Sequence, residues 1–324
     1  MIISQTPYRV SFAGGGTDLP AFYREEYGAV FSVAVQKHMY VTVSARFEPT
    51  TRVSYTITEI AETIDDIQHT IVREALRLTD LGRHLEITTI GDVPAGTGMG
   101  SSSALTVGLL NALYAYRGAI TSRDRLAQEA CRIEIDILGK PIGRQDQYAA
   151  AFGGLNYITF NSDDSVSVQA VPCKTETLAE LERHMLLVYT SRKRDANAIL
   201  QDQSAGTSAR RSTLRQMRDQ SGQLRDILAG EACLEEFAAV LHDGWELKRS
   251  LGFGISDNGI DEMYQSARRA GALGGKLLGA GGGGFLLLMA PPERHEAIRE
   301  ELGRPRELEF SIDRLGSRII FISE

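Results

Sequence analysis

The 324-residue sequence contains only three cysteines and one tryptophan, and its longest apolar run, residues 285–290, is short. The cysteines are odd in number and share no CxxC spacing, which fits a reducing compartment and argues against a disulfide framework. The apolar run cannot span a bilayer, because a transmembrane helix needs about 20 residues. The first ten residues lack a basic segment followed by an apolar run, so we expect no secretory signal, no membrane partner and a cytoplasmic location.

Positively charged residues are fewer than negatively charged ones. The chain has 35 Lys and Arg residues and 42 Asp and Glu residues, which gives a formal net charge of -7. General nucleic-acid binding needs a basic surface, so we expect no nucleic-acid partner. A small anionic substrate is compatible with this balance, since it needs only a local basic pocket. Hydrophobic residues make up 43% of the chain, and the length is ample for a buried core.

Strand-like and helix-like patterns alternate through the chain and predict an α+β protein. Strands are predicted near residues 2–12, 29–47 (one long strand or a pair), 85–89, 185–190, 285–290 and 319–322. Helices are predicted near residues 65–79, 102–116, 122–138, 195–250, 258–270 and 292–302, with Thr121 as an N-cap. We predict two lobes, residues 1–170 and 171–324, because the pattern changes between residues 160 and 185.

The strongest local signal is the segment PAGTGMGSSSA at residues 94–104, between a predicted strand and a predicted helix. Glycines let successive backbone N–H groups curl round an anion, and the following helix directs its positive end to the same place. Serine hydroxyls can hold a phosphate oxygen or a magnesium ion. The candidate ATP-phosphate-binding residues are Gly96, Gly98, Gly100, Ser101, Ser102 and Ser103. The plainer alternative is a tight turn with a serine cap.

Two familiar phosphate motifs do not describe this segment. A Walker A motif ends in Gly-Lys-Ser/Thr, and the dinucleotide fingerprint needs a final glycine where Ser101 stands. A second tract, residues 279–284, does match GxGxxG, but it leads into a strand instead of following one into a helix. That tract is equally compatible with a tight turn.

Three motifs together resemble those of the GHMP kinases, the family of galactokinase, homoserine kinase, mevalonate kinase and phosphomevalonate kinase. They are PYRVSFAGGGTDLP at residues 7–20, the segment at 94–104, and KLLGAGGGGF at 276–285, in the family's order and at its usual separations. The resemblance implies a two-lobed fold with a ribosomal S5 domain-2-like first lobe and a ferredoxin-like second lobe. It also implies that ATP and the acceptor bind between the lobes.

The first motif also separates groups within the family. A galactokinase has Gly-Glu-His-Thr-Asp where this chain has Gly15 and Gly16 in place of Glu and His. With GRQDQY at residues 143–148, this version resembles the D-glycero-D-manno-heptose 7-phosphate kinases, which make the 1,7-bisphosphate on the route to GDP-heptose and surface glycans. The resemblance implies acceptor contacts from Gly15, Gly16, Thr17, Asp18 and Gly282. A kinase of an unphosphorylated sugar, fucokinase-like or galactokinase-like, and a non-catalytic sugar or ATP sensor remain alternatives.

The resemblance also implies roles for two carboxylates. Family members use a glutamate for magnesium and an aspartate as base, twelve residues apart, and Glu134 and Asp146 have that spacing. Glu134 and Ser102 are the candidate ligands of Mg²⁺, which prefers oxygen. Asp146 is the candidate base, with Arg9 beside it to stabilise the ionised form. Plainer alternatives are a solvated Glu134, a helix-capping Asp146 and an Asp18 that serves only in a turn.

A substrate phosphate needs two or three basic donors, and arginine suits it by its bidentate geometry. Arg194 is the best candidate and Lys193 the next, although charged runs at the ends of strands are often just solvated. The other candidates are Arg192, Lys248, Arg249 and Arg144. The implied ligands are therefore ATP, Mg²⁺ and a small sugar phosphate, while the sequence leaves the oligomeric state open, with a homodimer as one possibility.

Overall fold

The structure, a computed structural model, describes residues 1–192, 196–230, 233–252 and 254–323, with only the backbone of residues 196, 197 and 203–205. The strands are β1 Ile2–Ala13, β2 Gly28–Ala45, β3 Thr51–Ser54, β4 Thr58–Ala61, β5 Leu85–Gly91, β6 Leu155–Phe160, β7 Val166–Ala170, β8 Met185–Tyr189, β9 Gly274–Leu277, β10 Phe285–Met289 and β11 Arg318–Ile322. The helices are α1 Pro20–Tyr23, α2 Thr70–Thr79, α3 Ser101–Tyr116, α4 Arg123–Cys131, α5 Gln145–Phe152, α6 Thr175–His184, α7 Ala196–Ala205, α8 Arg211–Ala229, α9 Leu234–Ser250, α10 Asn258–Arg269 and α11 His295–Glu301. Short 3-10 turns occupy Ile64–Asp66 and Pro292–Arg294, and a π-helical segment occupies Arg132–Ile137.

The larger sheet is organised around β2, a single long strand rich in β-branched residues, which favour extended backbone. β1 runs antiparallel along β2, while β6 pairs with residues 28–33 of β2 and β5 with residues 39–45. β3 runs parallel to β5, β4 and β7 extend the sheet, and β11 pairs with β1 at an edge. We call the part of the protein built on this sheet the first lobe.

Helix α3 packs across β1 and β2 in the core of the first lobe. Most of its residues are buried, and apolar residues lie on all sides of the helix, as expected for a helix enclosed by protein. The contact with β1 is close, because a Cβ atom at Gly108 would lie 2.7 Å from Thr6 Oγ1. This packing fixes the position of the N-terminus of α3, which follows the glycine segment.

The smaller sheet has three antiparallel strands in the order β8-β10-β9, and we call the part built on it the second lobe. Every residue of β10 is buried. One face of β10, formed by Leu286 and Leu288, packs in an apolar core that is separate from the core of the first lobe. This second core includes Trp245 of α9 and Tyr264 of α10. Helix α9 approaches β9 so closely that a Cβ atom at Gly274 would lie 2.0 Å from the Ala238 carbonyl oxygen.

The structure confirms the predicted α+β class and most of the predicted long elements. Thr121 as an N-cap is wrong, because Ser122 holds that position and its hydroxyl accepts from the Arg125 N–H. The predicted helix through residue 138 ends as α-helix at Cys131 and continues as the π-helical segment. The division at residue 170 stays a prediction, and β11 returns from the end of the chain to the sheet of the first lobe.

A separate question is whether any element could cross a membrane. Among the described residues, none of the helices combines the length and the apolar character that a bilayer crossing requires.

Candidate active site

The glycine segment forms a loop between β5 and α3. Gly96, Gly98 and Gly100 all have positive φ values, between 76° and 82°, a region that side-chain-bearing residues rarely adopt. Gly100 is the N-cap of α3 and provides no side chain to cap it. The first N–H groups of a helix have no partner within the helix, so this end of α3 is suited to an anion. Ser101 and Ser102 are partly exposed there, whereas Ser103 is buried.

The second glycine tract, between β9 and β10, packs directly against this loop. A Cβ atom at Gly98 would lie 2.6 Å from the Leu278 carbonyl oxygen, and one at Gly279 would lie 2.5 Å from Gly98 Cα. The Phe285 N–H also donates to the Thr97 carbonyl at 3.3 Å. The tract is the connection between β9 and β10, and it supports the phosphate loop from the second lobe.

The candidate base and its arginine form a close ion pair. From β1, Arg9 donates through Nε to Asp146 Oδ1 at 2.7 Å and through Nη2 to Oδ2 at 2.8 Å. Arg9 Nη1 donates to the Gly98 carbonyl at 2.5 Å, so the same side chain also holds the phosphate loop. Arg9 is 4% exposed and Asp146 is 23% exposed, so the carboxylate is the more accessible member of the pair. Bidentate geometry fixes the orientation of the carboxylate.

Asp18 lies beside this pair and is held by backbone groups. Its Oδ1 accepts from the Gly16 N–H at 2.8 Å, and its Oδ2 accepts from the Gln145 N–H at 3.3 Å. Burial raises the pKa of Asp18 above its usual value, and the nearby negative charge of Asp146 raises it further. Asp18 is thus a positioned carboxyl group in a buried wall rather than an exposed turn residue.

The candidate metal ligands also meet. The π-helical segment points Glu134 inward, where its side chain is fully buried. Ser102 Oγ lies 2.5 Å from Glu134 Oε1, and Gln147 Nε2 donates to Oε2 at 2.8 Å. Lys140 Nζ donates to Ser102 Oγ at 2.7 Å and lies 3.0 Å from Glu134 Oε1. The burial excludes a solvated Glu134.

This oxygen set fits a magnesium ion. Mg²⁺ takes hard oxygen ligands, often only one or two from protein, and completes its shell with water and substrate phosphates. One carboxylate and one hydroxyl next to a phosphate loop meet that need. Within the described part of the chain, no cluster of three or more His, Cys, Asp or Glu residues forms an all-protein metal site.

A pocket of about 160 Å³ opens between the two lobes at this point. Its wall includes the predicted residues Arg9, Gly15, Gly16, Asp18, Gly98, Gly100 and Asp146. It also includes Ser11, Leu19, Ile142, Gly143, Gln145, Leu200, Lys248, Lys276, Gly279 and Ala280. The predicted base, three of the predicted acceptor contacts (Gly15, Gly16 and Asp18) and one side of the phosphate loop therefore surround a single space.

Two predicted acceptor contacts do not line this pocket. The Thr17 hydroxyl is fully buried and lies 2.8 Å from the Gly14 carbonyl oxygen and 3.0 Å from the Ala29 carbonyl oxygen, either of which can accept its single hydrogen, so it stabilises the turn. The Gly282 N–H donates to the Ile255 carbonyl at 2.8 Å. Both groups are engaged in holding local structure.

The predicted basic cluster is only partly described. Lys193 and Arg194 lie outside the described residues. Arg192 pairs with Asp257, their closest atoms 2.5 Å apart. Two other basic candidates are also paired, since Arg249 contacts Asp261 at 3.0 Å and Arg144 contacts Asp164 at 3.5 Å. Lys248, by contrast, reaches the pocket.

Sequence reasoning missed three polar residues of the site: Lys140, Gln147 and Lys276. Lys276 is the first residue of the third motif and Gln147 belongs to the segment GRQDQY, whereas Lys140 lies just before that segment in the sequence GKPIG at residues 139–143. Gln147 follows the candidate base by one residue. The contacts of these three side chains depend on the tertiary fold, which the spacing of residues in the sequence does not reveal.

The arrangement suits transfer of a phosphoryl group to a hydroxyl. The loop and α3 offer N–H groups for phosphate oxygens, and a metal bound at Ser102 and Glu134 would neutralise negative charge next to them. Asp146 lies next to the loop, because a Cβ atom at Gly100 would be 3.2 Å from Asp146 Oδ2. A hydroxyl held at Asp146 would therefore face the end of a bound triphosphate.

Comparison with known proteins agrees with this geometry. Residues 67–154 match the GHMP kinases N terminal domain and residues 228–306 match the GHMP kinases C terminal family, together just over half of the chain. The D-glycero-alpha-D-manno-heptose 7-phosphate kinase of Campylobacter jejuni subsp. jejuni is 28% identical over 96% of this chain and 96% of its own length. The bifunctional fucokinase/GDP-fucose pyrophosphorylase of Arabidopsis thaliana is 24% identical over 95% of this chain, which corresponds to 32% of that protein.

A solved structure extends the match to the whole fold. A D-glycero-D-manno-heptose 1-phosphate kinase from Bacteroides thetaiotaomicron superposes with a TM-score of 0.82 at 24% identity, covering 100% of both chains. At this identity the match shows the shared fold, and it confirms the predicted GHMP kinase architecture. The chain belongs to the GHMP kinase superfamily and is an ATP-dependent phosphotransferase that acts on an alcohol group.

Proposed function

We propose that this kinase phosphorylates the anomeric hydroxyl of D-glycero-D-manno-heptose 7-phosphate and gives the 1,7-bisphosphate for GDP-heptose and surface glycan synthesis. The observation that carries the proposal is the Arg9–Asp146 pair, which faces a pocket bounded on one side by the phosphate loop. The name of the Campylobacter jejuni relative supports the choice of acceptor, since the match runs along nearly the whole of both chains.

In the proposed reaction, Asp146 accepts the proton of the acceptor hydroxyl as that oxygen bonds to the terminal phosphorus of ATP. The bond from this phosphorus to the oxygen bridging it to the β-phosphate breaks, and ADP leaves with the electron pair. Arg9 holds the carboxylate in a fixed orientation throughout. A positioned base of this kind contributes about 10²–10⁴-fold to a rate.

Ser102 and Glu134 are the residues that would hold Mg²⁺, whose role when bound is to neutralise charge on the transferring phosphates. Gln147 fixes one oxygen of Glu134 and leaves the other facing Ser102. Gly15 and Gly16 leave room in the pocket wall for the acceptor, because neither carries a side chain. Asp18 beside them is placed to accept hydrogen bonds from sugar hydroxyls.

A free sugar is the second candidate acceptor, and the relationship to the Arabidopsis fucokinase favours it. The distinguishing feature is a phosphate on the acceptor. Lys193 and Arg194, the residues that the sequence favours for this phosphate, stay predictions, as do the cytoplasmic location and the homodimer.

The test is ADP release from purified protein with Mg-ATP and a panel of acceptors. The panel contains D-glycero-D-manno-heptose 7-phosphate, the free heptose, mannose, galactose and fucose. Turnover with the heptose phosphate, and none with the free sugars, supports the proposal. Faster turnover with a free sugar would falsify the heptose phosphate assignment while keeping the kinase.

Asp146→Asn is the matched control for the assay, since it keeps the shape of the side chain but removes its ability to take a proton. It should bind ADP as the wild type does and release ADP from ATP far more slowly. Wild-type turnover by this variant would show that Asp146 is not the base.

A further inference from the structure

Two buried lysines from the second lobe reach the pocket, and neither forms an ion pair with a carboxylate of the described residues; the nearby Asp18 acts on Lys248 only through its charge. Lys248 is near the end of α9 and Lys276 is in β9, and each is 5% exposed. Both line the same pocket as Arg9 and Asp146. Among the described residues, neither ammonium group has an ion pair, whereas Arg9 is fully engaged by Asp146.

The hydrogen bonds of these lysines use only part of their capacity. An ammonium group has three N–H donors. Lys248 Nζ donates to the Gly279 carbonyl, and Lys276 Nζ donates to the Phe12 carbonyl at 2.9 Å. Donors therefore remain on both lysines at the wall of an open pocket.

The electrostatics of the two lysines favour a negative ligand at this part of the wall. Burial lowers the pKa of Lys248 to about 8; the charge of Arg9 lowers it further, and the carboxylate of Asp18 opposes both effects in part. Burial also lowers the pKa of Lys276 well below its usual value, and the charges of Lys248 and Arg9 add to this. Burying cations without an ion-pair partner is unfavourable, so a ligand that supplies the opposite charge would stabilise the charged forms of both lysines.

We propose that Lys248 and Lys276 form a binding site for a phosphate monoester dianion in the acceptor pocket. The inference rests on the proposed function and deepens it, because it assigns residues to the phosphate that distinguishes a sugar phosphate from a free sugar. Two donors on separate elements, α9 and β9, can contact different oxygens of one phosphate group. The backbone N–H groups of the phosphate loop and α3 form a separate set of donors for the nucleotide.

The same chemistry has a second source, the terminal phosphate of ATP. Lys248 is tied to Gly279, which touches Gly98 of the phosphate loop, so this end of the nucleotide is also near. The experiment must therefore compare ligands that differ by one phosphate group on each side of the reaction.

Calorimetric titration of the full chain with four ligands makes this comparison. The ligands are heptose 7-phosphate, free heptose, ADP and the ATP analogue AMPPNP, each titrated into the wild type, Lys248→Met and Lys276→Met. We expect both variants to lose roughly tenfold to a hundredfold in affinity for heptose 7-phosphate, since hydrogen bonds to charged groups are lost, with free heptose and ADP unaffected. A loss confined to AMPPNP would overturn the assignment to the acceptor and would identify the terminal phosphate of the nucleotide as the anion that the lysines bind.

Unchanged affinity of both variants for heptose 7-phosphate and for AMPPNP would overturn the proposal. Failure of the proposed function gives a different pattern, in which the wild type binds free heptose as tightly as heptose 7-phosphate. The melting temperature separates binding from a structural role. Methionine in place of a buried unpaired cation should raise it, whereas loss of a needed structural contact should lower it.

If either variant does not fold, the wild type alone can decide. Because the pKa of Lys248 is lowered to about 8 by burial, an anion that binds next to it at about pH 8.5 should cause proton uptake. Titrations in two buffers of different ionisation enthalpy measure that uptake. Uptake with heptose 7-phosphate supports the site, and no uptake with this ligand overturns the assignment to the acceptor.

Discussion

Gly143→Ala should disable the acceptor side of the site and leave the nucleotide side intact. A methyl group at this position would lie 1.9 Å from Asp18 Oδ2 and 2.3 Å from Asp18 Cγ. Asp18 cannot move freely, because it is 2% exposed and accepts hydrogen bonds from the Gly16 and Gln145 N–H groups. The substitution therefore forces a buried, tethered carboxyl group out of place.

The size of the effect follows from that clash. Real Cβ atoms essentially never approach another heavy atom within 3.0 Å, so the methyl group and Asp18 must separate by about 1 Å. Such a displacement should break at least one hydrogen bond to the carboxyl group, at a cost of roughly 1.5–3 kcal/mol in the free energy of unfolding. A misplacement of this size in a substrate-positioning group should lower kcat/KM for the acceptor by about a hundredfold.

The assay combines acceptor kinetics, calorimetric binding of ADP and thermal denaturation. Gly222→Ala is the matched control, because a methyl group there has no heavy atom closer than Arg225 Nη2 at 4.0 Å. In the middle of α8 it should stabilise the protein by up to about 1 kcal/mol. If Gly143→Ala keeps both the acceptor kcat/KM and the melting temperature of the wild type, Asp18 is not fixed in the way described.

Three further predictions follow. Asp146→Asn should lower kcat by about 10²–10⁴-fold with little change in the KM for ATP, and steady-state kinetics would contradict the assigned base if kcat held. Lys140→Met should raise the affinity for Mn²⁺ without nucleotide by roughly tenfold, because the ammonium group 3.0 Å from Glu134 Oε1 no longer competes with the metal. Titration followed by electron paramagnetic resonance checks this, with the exposed Lys174→Met as control, and equal affinities would refute the competition. The acceptor kcat/KM should fall as pH rises above about 8, by up to tenfold per pH unit, because Lys248 loses the proton that an anionic acceptor needs. Lys248→Met should show a smaller fall, since only Lys276 is then left to lose a proton, and identical pH profiles for the two proteins would contradict the role of Lys248.

Sequence reasoning was most informative where a residue belonged to a motif with a fixed register. Arg9 and Asp146 are far apart in the chain, yet the structure joins them by two hydrogen bonds, as the resemblance implies. Glu134 and Ser102 meet in the same way. Spacing alone did not reveal that Glu134 sits on a π-helical segment, because the extra residue in that turn depends on packing rather than on local preference.

Other features could not be predicted from the sequence, because they depend on contacts between segments that are far apart in the chain. The sequence names Lys248 only as one of several basic candidates and gives no role to Lys276, because the packing of α9 against β9 is what buries both side chains. Thr17 shows the opposite case, since a residue within an acceptor motif is used to close a turn. Short strands such as β3 and β4 were missed because four residues carry too little periodicity to recognise.

The contact between Gly98 and Gly279 joins the two lobes at the active site through backbone atoms alone. No flexible side chain lies between them to absorb a small rotation of one lobe against the other. A change in the angle between the lobes must therefore move the phosphate loop itself. The affinity for ATP is therefore coupled to the orientation of the lobes. An acceptor that moved the second lobe towards the first would also change the affinity for ATP.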